Sequence, residues 1–158
     1  MDNSVYLSPL GLLHIRCSAE ALLEIAFADS ADLQSTRPMG YHQTVHEQLT
    51  AYFEGKLKSF SLQCAPEGTS FQQRVWKVLM AIPYGKTISY AALAQQLGDP
   101  KCIRAAASAN GKNKIPIIIP CHRVIGTDGS LTGYAGGLER KKLLLQLEGS
   151  AIIQPTLF

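Results

Sequence analysis

The chain has 158 residues, of which 46% are hydrophobic and 17% charged, so it can bury a core and is not disordered by composition. No apolar run approaches the roughly 20 residues that span a bilayer. The N-terminal sequence MDNSVYLSPLG lacks the basic segment and apolar core of a signal peptide, and we expect a cytoplasmic protein that does not bind membranes.

The first part of the chain predicts a small β-sheet with one helix. Residues 11–17 and 21–28 are apolar-rich runs separated by Ser-Ala-Glu, which predicts a hairpin. Residues 43–53 carry apolar side chains at helical spacing. Residues 60–63 are a candidate for another short strand.

Composition and charge both change near residues 65–70, whose sequence A-P-E-G-T-S interrupts the pattern. Residues 1–70 hold four Lys/Arg and eight Asp/Glu, a balance of −4, whereas residues 71–149 hold eleven and four, a balance of +7. We therefore predict domains at residues 1–66 and 71–149, followed by a tail at 150–158. The basic half favours a polyanionic partner, and a chance distribution on a solvated surface is the alternative.

The basic half is predicted to be mainly helical. Ser70 and Gln73 have the spacing of a capping box and open a helix that ends at Pro83-Tyr84-Gly85. Ser89 can cap a second helix over residues 90–97, and Asp99 can cap a third that begins at Pro100. Two short helices joined by a tight turn predict a helix-turn-helix, although such corners also serve as ordinary packing elements.

The third predicted helix has an unusual composition. Residues 104–109 read R-A-A-A-S-A, so Arg104 is the long side chain among small ones, with Lys101 one turn earlier. Small side chains let a helix backbone approach DNA closely, and the cation can project beyond them. A packing helix would also use alanines but would not need Arg104.

The four cysteines are scattered and form no C-x-x-C pair, which predicts free thiols, no disulfide and no structural zinc. Cys121 is the candidate nucleophile, because His122 follows it and could help to form the thiolate. The prolines of residues 115–120 predict a stiff extended approach to it. Glu148, after an apolar helix over residues 138–147, could orient the imidazole, although a Cys-His pair alone also fits a structural role.

Segments of the basic half resemble those of the O6-alkylguanine-DNA alkyltransferases in order and spacing. The matching segments are I-P-Y-G-K-T-I-S-Y at 82–90, R-A-A-A-S-A-N at 104–110, P-C-H-R-V at 120–124 and G-Y-A-G-G at 133–137. The resemblance implies an α+β protein. Its N-terminal domain would be a small ribonuclease H-like sheet with a helix, and its C-terminal domain a winged helix-turn-helix.

The same resemblance implies a site and a reaction. Cys121 would irreversibly accept the alkyl group of an O6-alkylguanine flipped out of double-stranded DNA, and of O4-alkylthymine. His122 would deprotonate it through a bound water, Glu148 would polarise His122, and Tyr90 would bind the base at N3 and supply a proton.

The same resemblance implies further residues that bind DNA or line the base pocket. Arg104 would fill the gap in the base stack from the minor groove. The other predicted DNA contacts are Lys101, Ala105, Ser108 and Arg123, and the predicted pocket residues are Asn113, Pro116, Val124, Tyr134, Ala135 and Gly136. In some members of the family serine stands at the position of Ala135.

The resemblance further implies a monomer that needs no cofactor. The zinc ligands of some members are not matched in spacing by Cys17, Cys64, His14, His42 and His46, and the last two are expected on a helix surface. Two other functions are weighed against alkyl transfer. One is a non-catalytic protein that recognises alkylated DNA, and the other is a cysteine peptidase or thioesterase using Cys121, His122 and Glu148.

Overall fold

A computed structural model describes residues 2–28, 37–134 and 136–150. Contacts within the chain divide it into two compact units, residues 1–67 and residues 68–158. Within the described ranges, the helices are all too short or too polar to cross a membrane.

The first unit contains a three-stranded antiparallel sheet in the order β1-β2-β3, formed by Asn3–Ser8, Gly11–Cys17 and Leu22–Ala28. The first strand was not predicted, and it pairs with β2 along its whole length. The candidate strand over residues 60–63 does not form. The chain instead makes an isolated parallel bridge there, between Cys64 and Leu22.

Helix α1, Tyr41–Phe53, packs on this sheet through a buried stripe at helical spacing, formed by His42, Val45, Leu49 and Tyr52. His42 is only 1% exposed, so its predicted place on the helix surface is wrong. The Ser4 hydroxyl explains its burial, because this oxygen lies 2.6 Å from His42 Nδ1 and 2.9 Å from His46 Nε2.

The second unit begins with helix α2, Ser70–Met80. Its capping box consists of Thr69 and Gln72, one residue earlier than predicted, because the Thr69 side chain accepts the Gln72 amide while the Gln72 side chain accepts the Thr69 amide. Trp76 is buried and donates its indole N–H to the Ala109 carbonyl at 2.9 Å. This bond ties α2 to the Ala-rich helix.

Helices α3, Tyr90–Gln96, and α4, Ile103–Gly111, form the helix-turn-helix. Ser89 caps α3 by accepting the Ala92 amide. Asp99 does not cap α4, and Pro100 does not begin it, which corrects the prediction. The Asp99 carboxylate accepts the Lys101 amide at 2.9 Å in a separate turn, so α4 starts three residues after Pro100.

The segment 115–120 forms a buried turn rather than the expected extended approach. The Ile119 amide donates to the Ile115 carbonyl at 2.9 Å, and Ile117 adopts a positive φ of 77° that β-branched residues rarely take. The Ile117 side chain is fully buried, and the turn rather than an extended chain directs it into the interior. The turn delivers the chain directly to Cys121.

After this turn, residues Cys121–Arg123 form a short 3₁₀ turn. Strand β5, Val124–Ile125, then pairs in parallel with β4, Ile88–Ser89, and the described part of the unit ends with helix α5, Leu138–Leu147. A sheet with one helix followed by a mainly helical unit confirms the predicted α+β class.

Candidate active site and DNA-binding surface

Cys121 lies in the 3₁₀ turn and is only 4% exposed. Burial raises the pKa of its thiol to about 11, and this rise is opposed by a hydrogen bond from Asn113 and by the positive charge of Lys141. The thiol is therefore protonated at neutral pH. A thiolate has to be generated before this sulfur can act as a nucleophile.

His122 and Glu148, 26 residues apart in the chain, form a buried pair. His122 Nε2 lies 2.8 Å from Glu148 Oε2, and both side chains are 0% exposed. A carboxylate only accepts hydrogen bonds, so the neutral imidazole carries its proton on Nε2 and leaves Nδ1 as the basic nitrogen. Nδ1 is buried and has no hydrogen-bond partner among the described residues.

The protonation state of His122 suits a base. Burial lowers the pKa of His122, although the hydrogen bond and the charge of Glu148 oppose this effect. The imidazole is consequently neutral near pH 7 and can accept a proton.

Arg123 does not reach the surface, which corrects its predicted role as a DNA contact. Its Nε and Nη2 donate to the two oxygens of Glu148 at 2.8 and 3.0 Å, and its Nη1 donates to the Ile82 carbonyl at 2.6 Å. The guanidinium also lies 5.8 Å from the centre of the Tyr84 ring. Arg123 is thus the counter-ion that keeps Glu148 ionised and oriented towards His122.

Tyr90 and Lys141 meet at one backbone oxygen, the Thr132 carbonyl. The Tyr90 hydroxyl donates to it at 3.0 Å, and the Lys141 ammonium donates to it at 2.6 Å and to the Val124 carbonyl at 2.6 Å. Gly133 adopts a φ of 66°, and a Cβ there would lie 3.0 Å from the Tyr90 hydroxyl oxygen. Glycine therefore permits this close approach.

Lys141 was missed as a site residue, although it is fully buried. Burial lowers its pKa to about 8, and a nearby Cys121 thiolate opposes that decrease. Its position had a detectable signal, since it shares the helical period of the buried Leu144, Leu145 and Glu148. A lysine on the inward stripe of a helix points to a buried partner.

The structure describes five of the six residues predicted to line a base pocket, namely Asn113, Pro116, Val124, Tyr134 and Gly136. Asn113 donates to the Ile119 carbonyl at 2.7 Å and accepts the Ile115 amide at 2.9 Å, so it stabilises the turn that precedes Cys121. Pro116 is buried in that same turn. Tyr134 and Val124 are buried, whereas Gly136 is half-buried and Ala135 lies outside the described residues.

Helix α4 presents a separate, exposed face. Ala106 and Ala109 are buried, and the side chains on the other side of the helix and its preceding turn are exposed, namely Lys101, Arg104, Ala105 and Ser108. Short side chains around one long cation make this face suitable for close approach to a polyanion.

In the part of the chain that the structure describes, no group of three His, Cys, Asp or Glu residues could hold a metal ion. A buried thiol followed in the chain by a neutral imidazole, in a helix-turn-helix unit whose exposed helix carries a cation, defines a class of protein. It is a DNA-binding protein that carries a cysteine nucleophile.

Comparison with known proteins identifies the family within that class. Residues 70–150 match the family model described as the DNA-binding domain of 6-O-methylguanine DNA methyltransferase, and residues 1–66 match its ribonuclease-like domain. The chain belongs to the 6-O-methylguanine DNA methyltransferase family, which confirms the family predicted from the sequence.

Individual relatives support the same family. The chain is 47% identical over 148 residues to the methylated-DNA–protein-cysteine methyltransferase of Mycobacterium bovis, covering 90% of this chain and 89% of the relative. The protein of the same name from Methanosarcina acetivorans is 54% identical over 110 residues, 70% of each chain.

Solved structures extend the likeness. The crystal structure of the Mycobacterium tuberculosis O6-methylguanine methyltransferase has a TM-score of 0.84 at 41% identity, covering 98% of this chain and 96% of that one. A crystal structure of the M. tuberculosis protein in complex with DNA has a TM-score of 0.84 at 43% identity, covering 93% and 92%.

Proposed function

We propose that this protein repairs alkylated DNA by moving the alkyl group of O6-alkylguanine onto Cys121. It is a methylated-DNA–protein-cysteine methyltransferase, and DNA is its partner. The observation that carries this function is the buried Cys121, followed in the chain by the hydrogen-bonded network of His122, Glu148 and Arg123, in the unit that matches the DNA-binding family model. Each molecule acts once, because the thioether product leaves no thiol for another transfer.

The first step is removal of the thiol proton. His122 Nδ1 is the available base, and a single water molecule between it and the Cys121 sulfur would carry the proton. The imidazolium that forms is stabilised by Glu148, which remains ionised because Arg123 holds both its oxygens. Lys141 stabilises the thiolate through its positive charge.

The second step is displacement at the alkyl carbon. The thiolate attacks this carbon, the carbon–sulfur bond forms, and the bond to O6 breaks with its electron pair moving into the guanine ring. Tyr90 donates a proton to N3 and recovers one from the imidazolium through solvent. The products are an S-alkylcysteine and a guanine protonated at N3, which becomes unmodified guanine when solvent moves this proton to N1, so the balance requires no cofactor.

The exposed face of α4 is assigned to DNA. Lys101, Arg104, Ala105 and Ser108 would lie in the minor groove, where small side chains permit close approach and Arg104 occupies the space of the flipped nucleotide. Base flipping is needed because the buried Cys121 sulfur cannot reach an atom inside the base stack. The protein would act as a monomer in the cytoplasm and would accept O4-alkylthymine as a second substrate.

Intact mass spectrometry tests this function directly. The protein is mixed with a duplex oligonucleotide containing O6-methylguanine, and the expected result is a gain of one methyl group, about 14 Da, that saturates at one per molecule and maps to Cys121. The variant Cys121→Ser should show no gain while still binding the duplex. Tight binding by the unmodified protein without a mass change would indicate recognition without repair, and neither binding nor mass change would favour hydrolase chemistry.

A further inference from the structure

Helix α4 has the small side chains that close approach to DNA requires, and the same side chains give it little to pack with. Its buried apolar residues are Ala106 and Ala109, and a methyl group buries little surface. Its N-cap residue, Cys102, has no side-chain capping hydrogen bond. A helix of 9 residues is only marginally stable without tertiary contacts. Another element therefore has to hold α4 in position.

Trp76 supplies such a contact from helix α2. Its side chain is 2% exposed, and its indole N–H donates to the Ala109 carbonyl at 2.9 Å. This carbonyl lies in the last turn of α4, where it otherwise shares the Lys112 amide with the Ser108 carbonyl, at 3.2 and 3.1 Å. The indole ring supplies the buried surface that the alanines lack, and its hydrogen bond fixes the position of the helix end.

The Trp76 ring is itself confined at the edge remote from its N–H. A Cβ at residue 68 would lie 2.5 Å from Trp76 Cη2 and 2.6 Å from Cζ3, so Gly68 allows the backbone to contact the ring directly. Because backbone rather than a flexible side chain lies at this edge, the ring cannot move away from α4 unless the chain shifts. The indole is thus a rigid support for the end of α4.

The supported helix joins the exposed face to the acceptor cysteine. Arg104 lies on the exposed side of α4, and Asn110, in its last turn, donates to the Cys121 carbonyl at 3.4 Å. Base flipping costs free energy, and the protein has to hold its position on the duplex while the base is extruded. We propose that Trp76 is a positioning residue for repair in duplex DNA, because its hydrogen bond holds α4 in place while Arg104 occupies the base stack.

This inference rests on the proposed function, and its test removes one hydrogen bond. The chain contains one tryptophan, so replacing tryptophan throughout the protein changes Trp76 alone. Benzothienylalanine has a similar shape and carries sulfur in place of the indole N–H, whereas fluorotryptophan retains the N–H and is the matched control. Single-turnover transfer is measured from a duplex containing O6-methylguanine and from free O6-benzylguanine, which requires no base flipping.

The protein with benzothienylalanine should act on the duplex about fivefold more slowly, the effect of one buried hydrogen bond, and on free O6-benzylguanine at an unchanged rate. The protein with fluorotryptophan should match the unmodified protein on both substrates. An equal loss on both substrates would assign Trp76 a purely structural role, and no loss on either would show that the hydrogen bond is not needed. Either result would overturn the proposal.

A second measurement needs no substitution at residue 76. The single indole N–H gives one resonance, and its exchange with solvent should be slow in the free Cys121→Ser variant and stay slow when the duplex containing O6-methylguanine binds. Faster exchange on binding would overturn the proposal even if the protein with benzothienylalanine does not fold. If the unmodified protein transfers from neither substrate, the proposed function fails, and the exchange result alone decides whether Trp76 holds α4 on DNA.

Discussion

Replacing His122 by glutamine should change how the rate of alkyl transfer depends on pH. In the unmodified protein the thiol is protonated and the imidazole is neutral, since burial raises the pKa of Cys121 to about 11 and lowers that of His122. A base that works from this resting state gives a rate that does not rise with pH above about 7.5. The rate instead falls as Lys141, whose pKa is about 8, loses the charge that stabilises the thiolate.

Without His122, transfer depends on thiolate that is already present. With a pKa of about 11, the thiol is ionised in about one molecule in 3,000 at pH 7.5, because each pH unit below the pKa reduces the thiolate tenfold. We expect His122→Gln to be slower by about 1,000-fold at pH 7.5 and to gain about tenfold per pH unit up to pH 10. The loss shrinks as the pH rises because hydroxide replaces the missing base.

The assay is single-turnover methyl transfer from a duplex oligonucleotide between about pH 7.5 and pH 10. Thermal unfolding is measured on each variant. Glutamine retains a donor for Glu148, so the buried carboxylate keeps a partner. His14→Gln, a histidine substitution in the sheet of the first unit, is the control and should keep the pH profile of the unmodified protein. A flat profile for His122→Gln, or a tenfold rise per pH unit in the unmodified protein, would refute the role of His122 as the base.

Three more outcomes are expected. Arg104→Ala should slow transfer from duplex DNA by about 30-fold or more, since flipping a base costs a few kcal/mol, while transfer from free O6-benzylguanine stays unchanged; an equal effect on both substrates would contradict the assignment. Glu148→Gln should lower the free energy of unfolding in urea by about 3 kcal/mol, because Arg123 loses its buried counter-ion, and unchanged stability would contradict that reasoning. DNA binding should weaken about 100-fold between 50 and 200 mM salt if about four phosphates are neutralised, whereas a flat dependence would argue against phosphate contacts.

Local patterns in the sequence predicted much of the fold. Residues 11–17 form β2 as expected, β3 begins one residue later than the predicted start at residue 21, and the helical spacing in residues 43–53 corresponds to α1. Each of these elements buries one regular face, so its period is visible without a structure. The first strand was missed because its buried positions are Ser4 and Ser8 whereas Leu7 is exposed, so the strand shows no buried apolar face in the sequence.

Helix ends were less predictable, because several residues compete to satisfy the same backbone groups. Thr69 rather than Ser70 caps α2, and the Asp99 side chain closes a turn instead of beginning α4. Both alternatives satisfy local capping rules, and the packing of the surrounding helices selects between them.

The sequence by itself determined the chemistry that the site contains: a cysteine followed by histidine, a late glutamate and a cation on an alanine-rich helix. Only the tertiary structure decided which charged groups face one another. Arg123 was expected at a DNA surface and instead binds Glu148, while Lys141 was overlooked and lies buried beside Tyr90. The reason is physical, since a buried cation is stable only when carboxylate or carbonyl oxygens surround it. Here those oxygens come from distant parts of the chain, and no local sequence pattern predicts such tertiary contacts.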